Sequence, residues 1–471
     1  MIAPARVAAY EVLSAVTAGN ADLPTAIAFA RDNLHDDRDR ALAAEIATGV
    51  QRWRAALDHL IVQFSKRPLD RLDREVVEIL RLSAYQMLHL TRVPASAIVD
   101  DAVDLTRRAG KQSASGFVNA VLRELSRRRG KLPLPPRPDD PSDRSAALAY
   151  FSVTLSHPLW LAARWYDRLG FEAAETWMHF NNTAAPLTLR VNRFKTSAEG
   201  LVARLAVDDI RLKPARYAPD AFVVEEGYPL RSSAFDEGLF VVQDEASQLV
   251  ALLATSSPAT PATPRAPAIP GSPGTPRRRV LDACASPGGK ATAIAAAMNG
   301  HGLVVACDAR ARRIDLLRKT IATTAASNVR VVQADLLKDL PFSQPFDTVI
   351  VDAPCSGLGT LRRDPDIRWR RGEPDLTKLA AAELTMLQHA AALVARGGRL
   401  VYATCSSEPE ENEAVADMFR AGAREFSPAD ARAIAPALPS ELVDARGHLR
   451  TEPHLHALEA FFGAVFERRK L

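Results

Sequence analysis

The sequence VLDACASPGGK, at residues 280–290, decides the class of the fold. It joins a short apolar run, Val280–Ala283, to a loop with two consecutive glycines, and the alanine-rich stretch Ala291–Met298 follows with helical character. Because glycine has no side chain, such a loop lets the backbone approach a ligand closely just before a helix begins. The segment therefore predicts a strand, a ligand-binding turn and a helix.

This glycine loop does not have the pattern of a Walker phosphate-binding loop. The position five residues before Gly289 holds Cys284 instead of glycine, and Lys290 is followed by Ala291 instead of serine or threonine. The sequence therefore disfavours a nucleoside-triphosphate hydrolase.

From Arg279 onward, short β-branched runs alternate with helical stretches. The predicted strands are Val280–Ala283, Leu303–Cys307, Val329–Gln333, Thr348–Val351 and Arg399–Ala403. The predicted helices are Ala291–Met298, Arg312–Ala325 and Leu376–Ala395. This alternation is typical of an α/β doubly wound, Rossmann-like parallel sheet, in which ligands bind beyond the carboxyl ends of the strands.

Acidic residues stand at two of these strand ends. Asp308 closes the second predicted strand about 20 residues after the glycines, where a carboxylate accepts hydrogen bonds from two ribose hydroxyls. Asp335 closes the third and is placed to accept a hydrogen bond from an adenine amine. These positions fit S-adenosylmethionine (SAM), with its sulfonium near the glycine loop. A nicotinamide dinucleotide, or purely structural strand-end carboxylates, are the alternatives.

Two cysteines follow the last two predicted strands, in Asp352-Ala-Pro-Cys355 and in Thr404-Cys-Ser406. Adjacent strand ends would aim both thiols into one cleft, whereas Cys284 and Cys307 are predicted to be small core residues. Paired thiols beside a nucleoside cofactor suit the chemistry of cytosine. Its C5 atom becomes nucleophilic only after a group such as a thiolate has added to C6.

A thiolate at Cys405 requires a favourable environment, because free cysteine is mostly protonated at neutral pH. Ser407 and Glu410 have the spacing of a capping box, which predicts a helix start just after Cys405 with amide groups that favour the anion. The neighbouring acids Glu408, Glu410 and Glu411 oppose the anion, and the sequence does not decide between the two effects. Asp352 is placed to hydrogen-bond N3 and the exocyclic amine of the base, and Cys355 to assist removal of the C5 proton. The base must be unstacked, so single-stranded or loop RNA is the expected substrate.

The N-terminal half has a different organisation. Residues from Ala5 to Leu125 have an all-helical pattern, in which Val76, Ile79, Leu80 and Met87 share one face of an amphipathic segment. Residues 131–143 contain closely spaced prolines and predict a stiff linker. A small α+β module is predicted to follow at 144–240, before the catalytic domain at 241–471. Prolines at a strict period of three, between 258 and 276, mark an insertion (254–279) interpreted as an extended surface spacer.

Composition and charge limit the classes of protein. A chain of 471 residues predicts two or three domains, and 47% hydrophobic with 25% charged residues is typical of a globular protein without membrane spans. Met1–Leu13 does not have the pattern of a signal peptide. The four cysteines in so long a chain do not form a disulfide scaffold, so a reducing, cytoplasmic location is expected.

The net charge of +4 does not by itself identify a nucleic-acid partner, because phosphate binding depends on local clusters. Two basic clusters stand out, Arg123–Lys131 and Arg362–Arg371. Each is interpreted either as an RNA contact or as a solvated helix end or loop.

At these residues the chain resembles the Sun family, also called Fmu or RsmB, of bacterial 16S rRNA cytosine-C5 methyltransferases. Besides the glycine loop, Asp308 and Asp335, the matching motifs are Asp352-Ala-Pro-Cys-Ser-Gly357, Arg362-Arg-Asp-Pro-Asp-Ile-Arg-Trp369, Thr404-Cys-Ser406 and Gln243-Asp-Glu-Ala-Ser-Gln248. The helical N-terminus (1–130), with Phe117-Val-Asn-Ala-Val-Leu-Arg123, is similar to the NusB-like RNA-binding domain of bacterial members.

The resemblance implies SAM-dependent methylation of a cytosine in 16S rRNA, with a methyltransferase domain at 241–471 and an RNA-binding role for the module at 144–240. It implies that Cys405 is the nucleophile, that Cys355 is the release residue and that Asp352 assists at the base. The cofactor contacts that it implies are Cys284, Ala285, Ser286, Pro287, Gly288, Gly289, Lys290, Asp308, Asp335 and Asp352. No metal, DNA or membrane partner is expected.

Three alternatives remain open on the sequence. The first is the same chemistry on tRNA, against which the NusB-like domain argues. The second is an RNA-binding protein whose methyltransferase domain is a relic, against which the retained thiols and acids argue. The third is an amino-group methyltransferase, which typically has Asn/Asp-Pro-Pro-aromatic after the fourth strand, where this chain has Asp352-Ala-Pro-Cys355.

Overall fold

The computed structural model describes residues 2–91, 93–255 and 278–470. They form two compact units, the first made of Met1–Ala184 with Leu361–Glu373 and the second of Ala185–Thr360 with Pro374–Leu471. The period-three prolines lie outside the described residues. Among the residues that are described, no helix is long and apolar enough to cross a membrane.

The first unit is helical up to Asn181, as the sequence predicts. Its helices are α1 (Pro4–Thr17), α2 (Leu23–Asp32), α3 (Asp37–Arg52), α4 (Arg54–Ser65), α5 (Arg74–His89), α6 (Ala95–Arg108), α7 (Ser115–Arg128), α8 (Arg144–Ala149), α9 (Leu159–Leu169) and α10 (Phe171–Asn181). The last three fall in the sequence range predicted for the α+β module, but they pack in this unit. The predicted domain boundaries themselves stay predictions.

Helix α5 is the centre of the helical unit. Val76, Ile79, Leu80 and Met87 are buried, as expected, but the opposite face of the helix is buried as well. The polar residues on that face are accommodated because they pair internally: Arg81 donates to Asp58 at 2.6 Å and to Glu78 at 2.7 Å. The amphipathic interpretation of α5 was therefore wrong in placing one face in solvent.

The second basic cluster, Arg362–Arg371, packs inside the helical unit. Arg368 is fully buried, and its guanidinium donates to the carbonyl oxygen of Ser156 at 2.9 Å and to Oδ1 of Asn182 at 3.1 Å. Arg362 lies over the Phe180 ring, with 4.4 Å between the guanidinium carbon and the ring centroid. Most of this cluster therefore packs within the helical unit and does not form a solvated loop, while Arg370 is exposed. The first cluster, Arg123–Lys131, is largely exposed.

The second unit begins with a small antiparallel sheet. Its strands are β1 (Thr188–Val191), β2 (Arg211–Pro214), β3 (Ala221–Glu226) and β4 (Phe240–Val242), in the order β2-β3-β1-β4. Helix α11 (Ala198–Ala206) packs on this sheet through Leu201 and Leu205, which share a core with Leu189 and Phe222.

The larger sheet carries the glycine loop and both strand-end cysteines. Its strands are β5 (Arg279–Asp282), β6 (Leu303–Asp308), β7 (Val329–Gln333), β8 (Phe346–Asp352), β9 (Val394–Thr404), β10 (Phe426–Ala429), β11 (Leu449–Thr451) and β12 (Phe461–Arg468). The remaining helices are α12 (Ser233–Asp236), α13 (Glu245–Thr255), α14 (Gly289–Ala297), α15 (Ala311–Thr324), α16 (Ile367–Arg370, in the helical unit), α17 (Glu373–Ala392), α18 (Glu413–Gly422), α19 (Ala431–Ile434) and α20 (Pro453–His456).

The strand order β10-β12-β9-β8-β5-β6-β7 makes this sheet mixed. The run β9-β8-β5-β6-β7 is parallel, which confirms the predicted Rossmann-like core, and β12 adds to it antiparallel to β9. From β5 the chain adds β6 and β7 on one side, and it then returns to add β8 and β9 on the other side. In such sheets ligands bind in the crevice at the carboxyl ends of the two strands where the direction changes, here β5 and β8. The glycine loop and Asp352 leave from these two strands.

Candidate active site

The two strand-end thiols lie against each other. Sγ of Cys355 is 3.3 Å from Sγ of Cys405, close enough for one thiol to donate a hydrogen bond to the other. This follows from the sheet, because β8 and β9 pair in parallel with Asp352 opposite Ala403, so that both chains leave the same edge together. Both side chains are partly exposed, and neither cysteine forms a disulfide bond.

A buried carboxylate, Glu411, ties together the two loops that carry the thiols. It accepts hydrogen bonds from the backbone amide of Ser356 at 2.6 Å, from the Ser356 hydroxyl at 2.6 Å and from the Ser406 hydroxyl at 2.5 Å. Each serine is the residue immediately after one of the cysteines. One side chain thus fixes both cysteine backbones, and the donors offset the cost of burying its charge.

The predicted capping box after Cys405 was wrong. Ser407 donates to its neighbour Glu408 at 2.7 Å, and helix α18 begins only at Glu413. The intervening turn is held by Asn412, whose amide donates to the Ser406 carbonyl at 3.1 Å and whose Oδ1 accepts from Thr404. Amides of a helix start therefore do not lie beside the Cys405 thiol as expected.

A hydrogen-bonded acid lies behind the Glu411 carboxylate. Tyr402 donates to Oε2 of Glu383 at 3.0 Å, and both side chains are buried in the sheet and helix α17. Burial, with the nearby Cys355 and Glu411, raises the pKa of Glu383 to about 10. Glu383 is therefore a neutral acid at physiological pH, and it adds no charge beside the thiols.

The environment keeps Cys355 protonated. The hydrogen bond with Cys405, burial and the Glu411 carboxylate together raise the pKa of the Cys355 thiol well above its ordinary value. The protonated Cys355 can donate a hydrogen bond to Cys405, although at 3.3 Å between the two sulfurs the geometry allows either thiol to be the donor.

Replacing Glu411 by glutamine is expected to lower kcat by about 10- to 100-fold, because a small displacement of reacting groups has an effect of that size. An amide presents one acceptor where three donors now meet. Affinity for SAM should stay within about twofold, since the three donors to Glu411 belong to the thiol loops. The measurement is single-turnover methylation together with calorimetric SAM titration, with the exposed Glu425→Gln as the control. Wild-type kcat in the Glu411 variant would contradict the positioning role.

An ion pair stands between the glycine loop and strand β8. Nζ of Lys290 lies 2.6 Å from Oδ2 of Asp352 and 2.9 Å from the Ser247 hydroxyl, and the Lys290 side chain is only 11% exposed. Burial alone would lower the pKa of Lys290. The carboxylates of Asp352 and Asp282 and the neighbouring Cys405 side chain outweigh burial, so the pKa of Lys290 is raised and the ammonium persists.

A cavity of about 400 Å³ opens beside this ion pair. One wall is the predicted loop together with Ser247 of α13. The opposite wall has apolar side chains from β4 and mainly threonines, with Lys319, from α15. The lining residues predicted as cofactor contacts are Cys284, Ala285, Ser286, Pro287, Gly289, Lys290 and Asp352, while Gly288, Asp308 and Asp335 are not among the described residues that line it. Gly288 has φ +109°, a conformation that favours glycine and that turns the chain into α14.

Asp282 is an unpaired acid on the floor of this cavity. Its side chain is completely buried, and neither oxygen has a well-formed hydrogen bond. Burial, opposed by Lys290 but reinforced by Asp352 and Asp308, raises the pKa of Asp282 to about 7. Because Asp352 is already paired with Lys290, the carboxyl group of Asp282 is the one that a cation bound in the cavity would pair with.

The other two predicted acids differ from each other in environment. Asp308 is the last residue of β6, is 5% exposed and accepts from the Arg310 amide at 3.2 Å, with Arg313 Nε at 3.3 Å. Asp335 lies two residues beyond β7 and is half-buried, and it accepts from the Leu337 amide at 3.0 Å. Both remain expected cofactor ligands at strand ends.

Three protein families match successive parts of the chain. The NusB family matches residues 3–127, the ferredoxin-like domain of RsmF/B-like methyltransferases matches 157–231, and the family described as 16S rRNA methyltransferase RsmB/F matches 274–467. A probable ribosomal RNA small subunit methyltransferase B from Bacillus subtilis is 31% identical, and the match covers 92% of this chain and 91% of the relative. The chain belongs to the RsmB family of methyltransferases.

Other matches agree with this RsmB-family assignment. The ribosomal RNA small subunit methyltransferase B of Pseudomonas putida is 33% identical, with 89% of this chain and 90% of the relative covered. The crystal structure of PH0851 has the same fold, with a TM-score of 0.77 at 23% identity over 99% of both chains. The NusB-like N-terminal part, the ferredoxin-like module and the Rossmann-like domain expected from the sequence are therefore confirmed.

RsmB-family methyltransferases use SAM, and the cavity suits that cofactor. A sulfonium is a cation, and the buried carboxyl group of Asp282 on the cavity floor is an acid with which it could pair. Gly289 of the loop packs against Gln243, so closely that a Cβ atom at this position would stand about 3.0 Å from the Gln243 amide.

SAM affinity is expected to rise about tenfold between pH 6 and pH 8, because Asp282, whose pKa is raised to about 7, is protonated at the lower pH and charged at the higher. Binding a cation favours the charged form, so binding near pH 7 should also release a proton. Calorimetric titration in two buffers of different ionisation enthalpy measures both effects. In Asp282→Asn, the rise in SAM affinity with pH and the release of a proton that are due to Asp282 should both vanish. If wild type and variant follow the same pH profile, Asp282 does not face the cofactor.

Sequence reasoning missed the roles of three groups in this site. Asp282 was expected only to begin the loop, Lys290 only to contact the cofactor, and Glu411 only to be one of several nearby acids. The Gln243–Gln248 motif was recognised, and its Ser247 indeed meets Lys290. For Glu411 no local signal exists, because its partners follow two different strands.

Proposed function

We propose that this RsmB-family methyltransferase transfers a methyl group to C5 of a cytosine in 16S rRNA through a covalent bond between Cys405 and C6. The observation that carries the proposal is the pair of thiols 3.3 Å apart, next to the ion pair of Lys290 and Asp352. Methylation of an amine or of ribose needs no second thiol. The names of the relatives point to small-subunit rRNA as substrate.

In the first step, the Cys405 thiolate adds to C6 and the C5–C6 electron pair moves onto C5. The Lys290 ammonium, whose raised pKa partly reflects Cys405, favours the thiolate before attack. Asp352, held at 2.6 Å from Lys290, is positioned as an acceptor for the exocyclic amine of the base. SAM supplies the methyl group that C5 receives.

In the second step, the C5 proton passes to Cys355, the C5–C6 double bond reforms and the Cys405 thiolate leaves. The contact between the two sulfurs accounts for why Cys355 acts as a base only after Cys405 has added to the ring. While Cys405 is free, its hydrogen bond and charge keep the pKa of Cys355 high. Once Cys405 is bonded to carbon it carries no charge, so the pKa of Cys355 falls, the Cys355 thiol loses its proton to solvent, and the resulting thiolate can take the C5 proton.

The proposal is tested by incubating the purified protein with methyl-labelled SAM and either 16S rRNA or tRNA, followed by nuclease digestion and nucleoside analysis. Label in 5-methylcytidine from 16S rRNA is the expected result. Label in 5-methylcytidine from tRNA alone would show that the substrate is tRNA instead of 16S rRNA. Label in another nucleoside would overturn the cytosine-C5 chemistry, and no label despite SAM binding would favour a relic domain in an RNA-binding protein. A cytoplasmic location, and RNA instead of DNA, are part of this proposal.

A further inference from the structure

We propose that the small antiparallel sheet of β1–β4 is part of the SAM site, and that Arg190 of β1 is a positioning residue for the glycine loop. The Arg190 side chain reaches the first turn of α14, where its Nη1 donates to the carbonyl oxygen of Gly289 and its Nη2 donates to Oγ1 of Thr292 at 2.7 Å. Gly289 lines the cofactor cavity, whereas Arg190 is not among the described residues that do so. Arg190 therefore acts on SAM through the loop. This inference rests on the use of SAM and not on the choice of cytosine as the methyl acceptor.

The turn that Arg190 reaches has little intrinsic preference for one conformation. Gly288 has φ +109°, and Gly289 follows it as the first residue of α14. Glycine loses more conformational freedom than any other residue when its backbone is fixed. Oγ1 of Thr292 lies 2.9 Å from the carbonyl oxygen of Gly288, so the hydroxyl group that accepts from Arg190 also donates back to the turn. Arg190 thus completes a network of hydrogen bonds that holds both glycines before a ligand arrives.

Arg190 is a buried cation with no carboxylate partner among the ion pairs of the described residues. Asp220, the acid that acts on it electrostatically, accepts hydrogen bonds from Arg193 instead, with Nε of Arg193 at 2.8 Å. Burial, which Asp220 opposes, lowers the pKa of Arg190 to about 10, so the guanidinium stays charged at physiological pH. A cation beside the positive end of a helix, buried without a counter-charge, does not stabilise a fold by its charge. What Arg190 contributes here is the pair of donors that fixes the turn.

A second side chain beside β1 fixes the opposite wall of the cavity. Asn192 is buried, and its Nδ2 donates to the carbonyl oxygen of Gly238 at 2.7 Å and to that of Thr324 at 3.0 Å. Thr324 ends α15 and lines the cavity, and Gly238 leads into β4, which lines it as well. Asn192 and Arg190 leave the same side of the small sheet, as residues two apart in a strand do. The small sheet thus holds both walls in place.

The test is calorimetric titration of the full chain with SAM and with S-adenosylhomocysteine, which lacks the methyl group and the positive charge. Arg190→Met is expected to raise both Kd values about tenfold, because the ligand must then order the loop. A loss that both ligands share reports the loop, since only SAM responds to charge at the sulfonium. Because the lost binding is uniform, the single-turnover rate of methyl transfer at saturating SAM should stay within about threefold of wild type.

Thr292→Val tests the same contact from its other side without changing a charge. Valine has the shape of threonine but cannot accept from Arg190, so both Kd values should rise about threefold. Combined with Arg190→Met, this change should add less than it does alone, because both changes break one network. The matched control is Arg193→Met, which removes a surface ion pair with Asp220 and should keep both Kd values within about twofold of wild type.

Wild-type Kd values in Arg190→Met, with or without a lower melting temperature, would overturn the positioning role and leave Arg190 as a structural link between sheet and helix. If Arg190→Met does not fold, wild-type Kd values in Thr292→Val overturn the role instead. An equal rise of Kd in Arg193→Met would also contradict it, because the effect would then belong to β1 as a whole. No RNA takes part in the titrations, so their outcome is independent of the cytosine-C5 proposal.

Discussion

Cys405→Ala is expected to abolish methyl transfer, with a loss of at least about a thousandfold in kcat, because removal of a covalent nucleophile leaves only binding and orientation. SAM affinity should remain within about twofold of wild type, since Cys405 is not among the described residues that line the cavity of the glycine loop. Single-turnover transfer of labelled methyl groups and calorimetric SAM titration give the two quantities.

The matched control is Cys307→Ala. Cys307 is buried in β6, and burial together with Asp282 and Asp308 raises its pKa to about 12, so its thiol cannot react. This variant should keep near-wild-type kcat with a modest loss of stability. Normal activity in Cys405→Ala, or an equal loss in both variants, would remove Cys405 from the nucleophile role.

Cys355→Ala is expected to accumulate a covalent complex between protein and RNA. Without the base that takes the C5 proton, the methylated adduct forms but releases slowly, so multiple turnover should fall by about 100-fold or more while the first methyl transfer persists. A denaturing gel with methyl-labelled SAM and rRNA should show a slow-migrating labelled band. The double variant with Cys405→Ala should lack that band. Free turnover of Cys355→Ala without a trapped species would make Cys355 structural.

The parallel core of the sheet was predictable because its signals are local. The predicted strands at Leu303–Cys307 and Val329–Gln333 and the predicted helix at Arg312–Ala325 agree with the observed elements to within one residue at each end. Each is a short β-branched or amphipathic run bounded by turn residues. The predicted helix to Ala395 was too long, since β9 already begins at Val394 and passes through Gly397 and Gly398, which do not resemble strand residues.

The features that were missed depend on contacts distant in sequence. Arg368 looked like a surface residue, but it is buried, and its Nη1 donates to carbonyl groups more than 200 positions away, those of Arg52 and Ser156. Glu411 looked like one of several acids that would oppose a thiolate, but its carboxylate is held by donors that follow both cysteines. Composition near a residue cannot reveal such partners, which topology alone brings together.

The measurement that tests the central claim most directly is trapping with 5-fluorocytidine. Protein, SAM and an rRNA fragment containing 5-fluorocytidine are combined and run on a denaturing gel, with wild type beside Cys405→Ala. Fluorine at C5 leaves no proton to remove, so the adduct cannot resolve. Attack by Cys405 on C6 predicts a denaturant-resistant complex that requires SAM and disappears with Cys405. A complex that persists in Cys405→Ala, or no complex with any RNA that the wild type methylates, would contradict it.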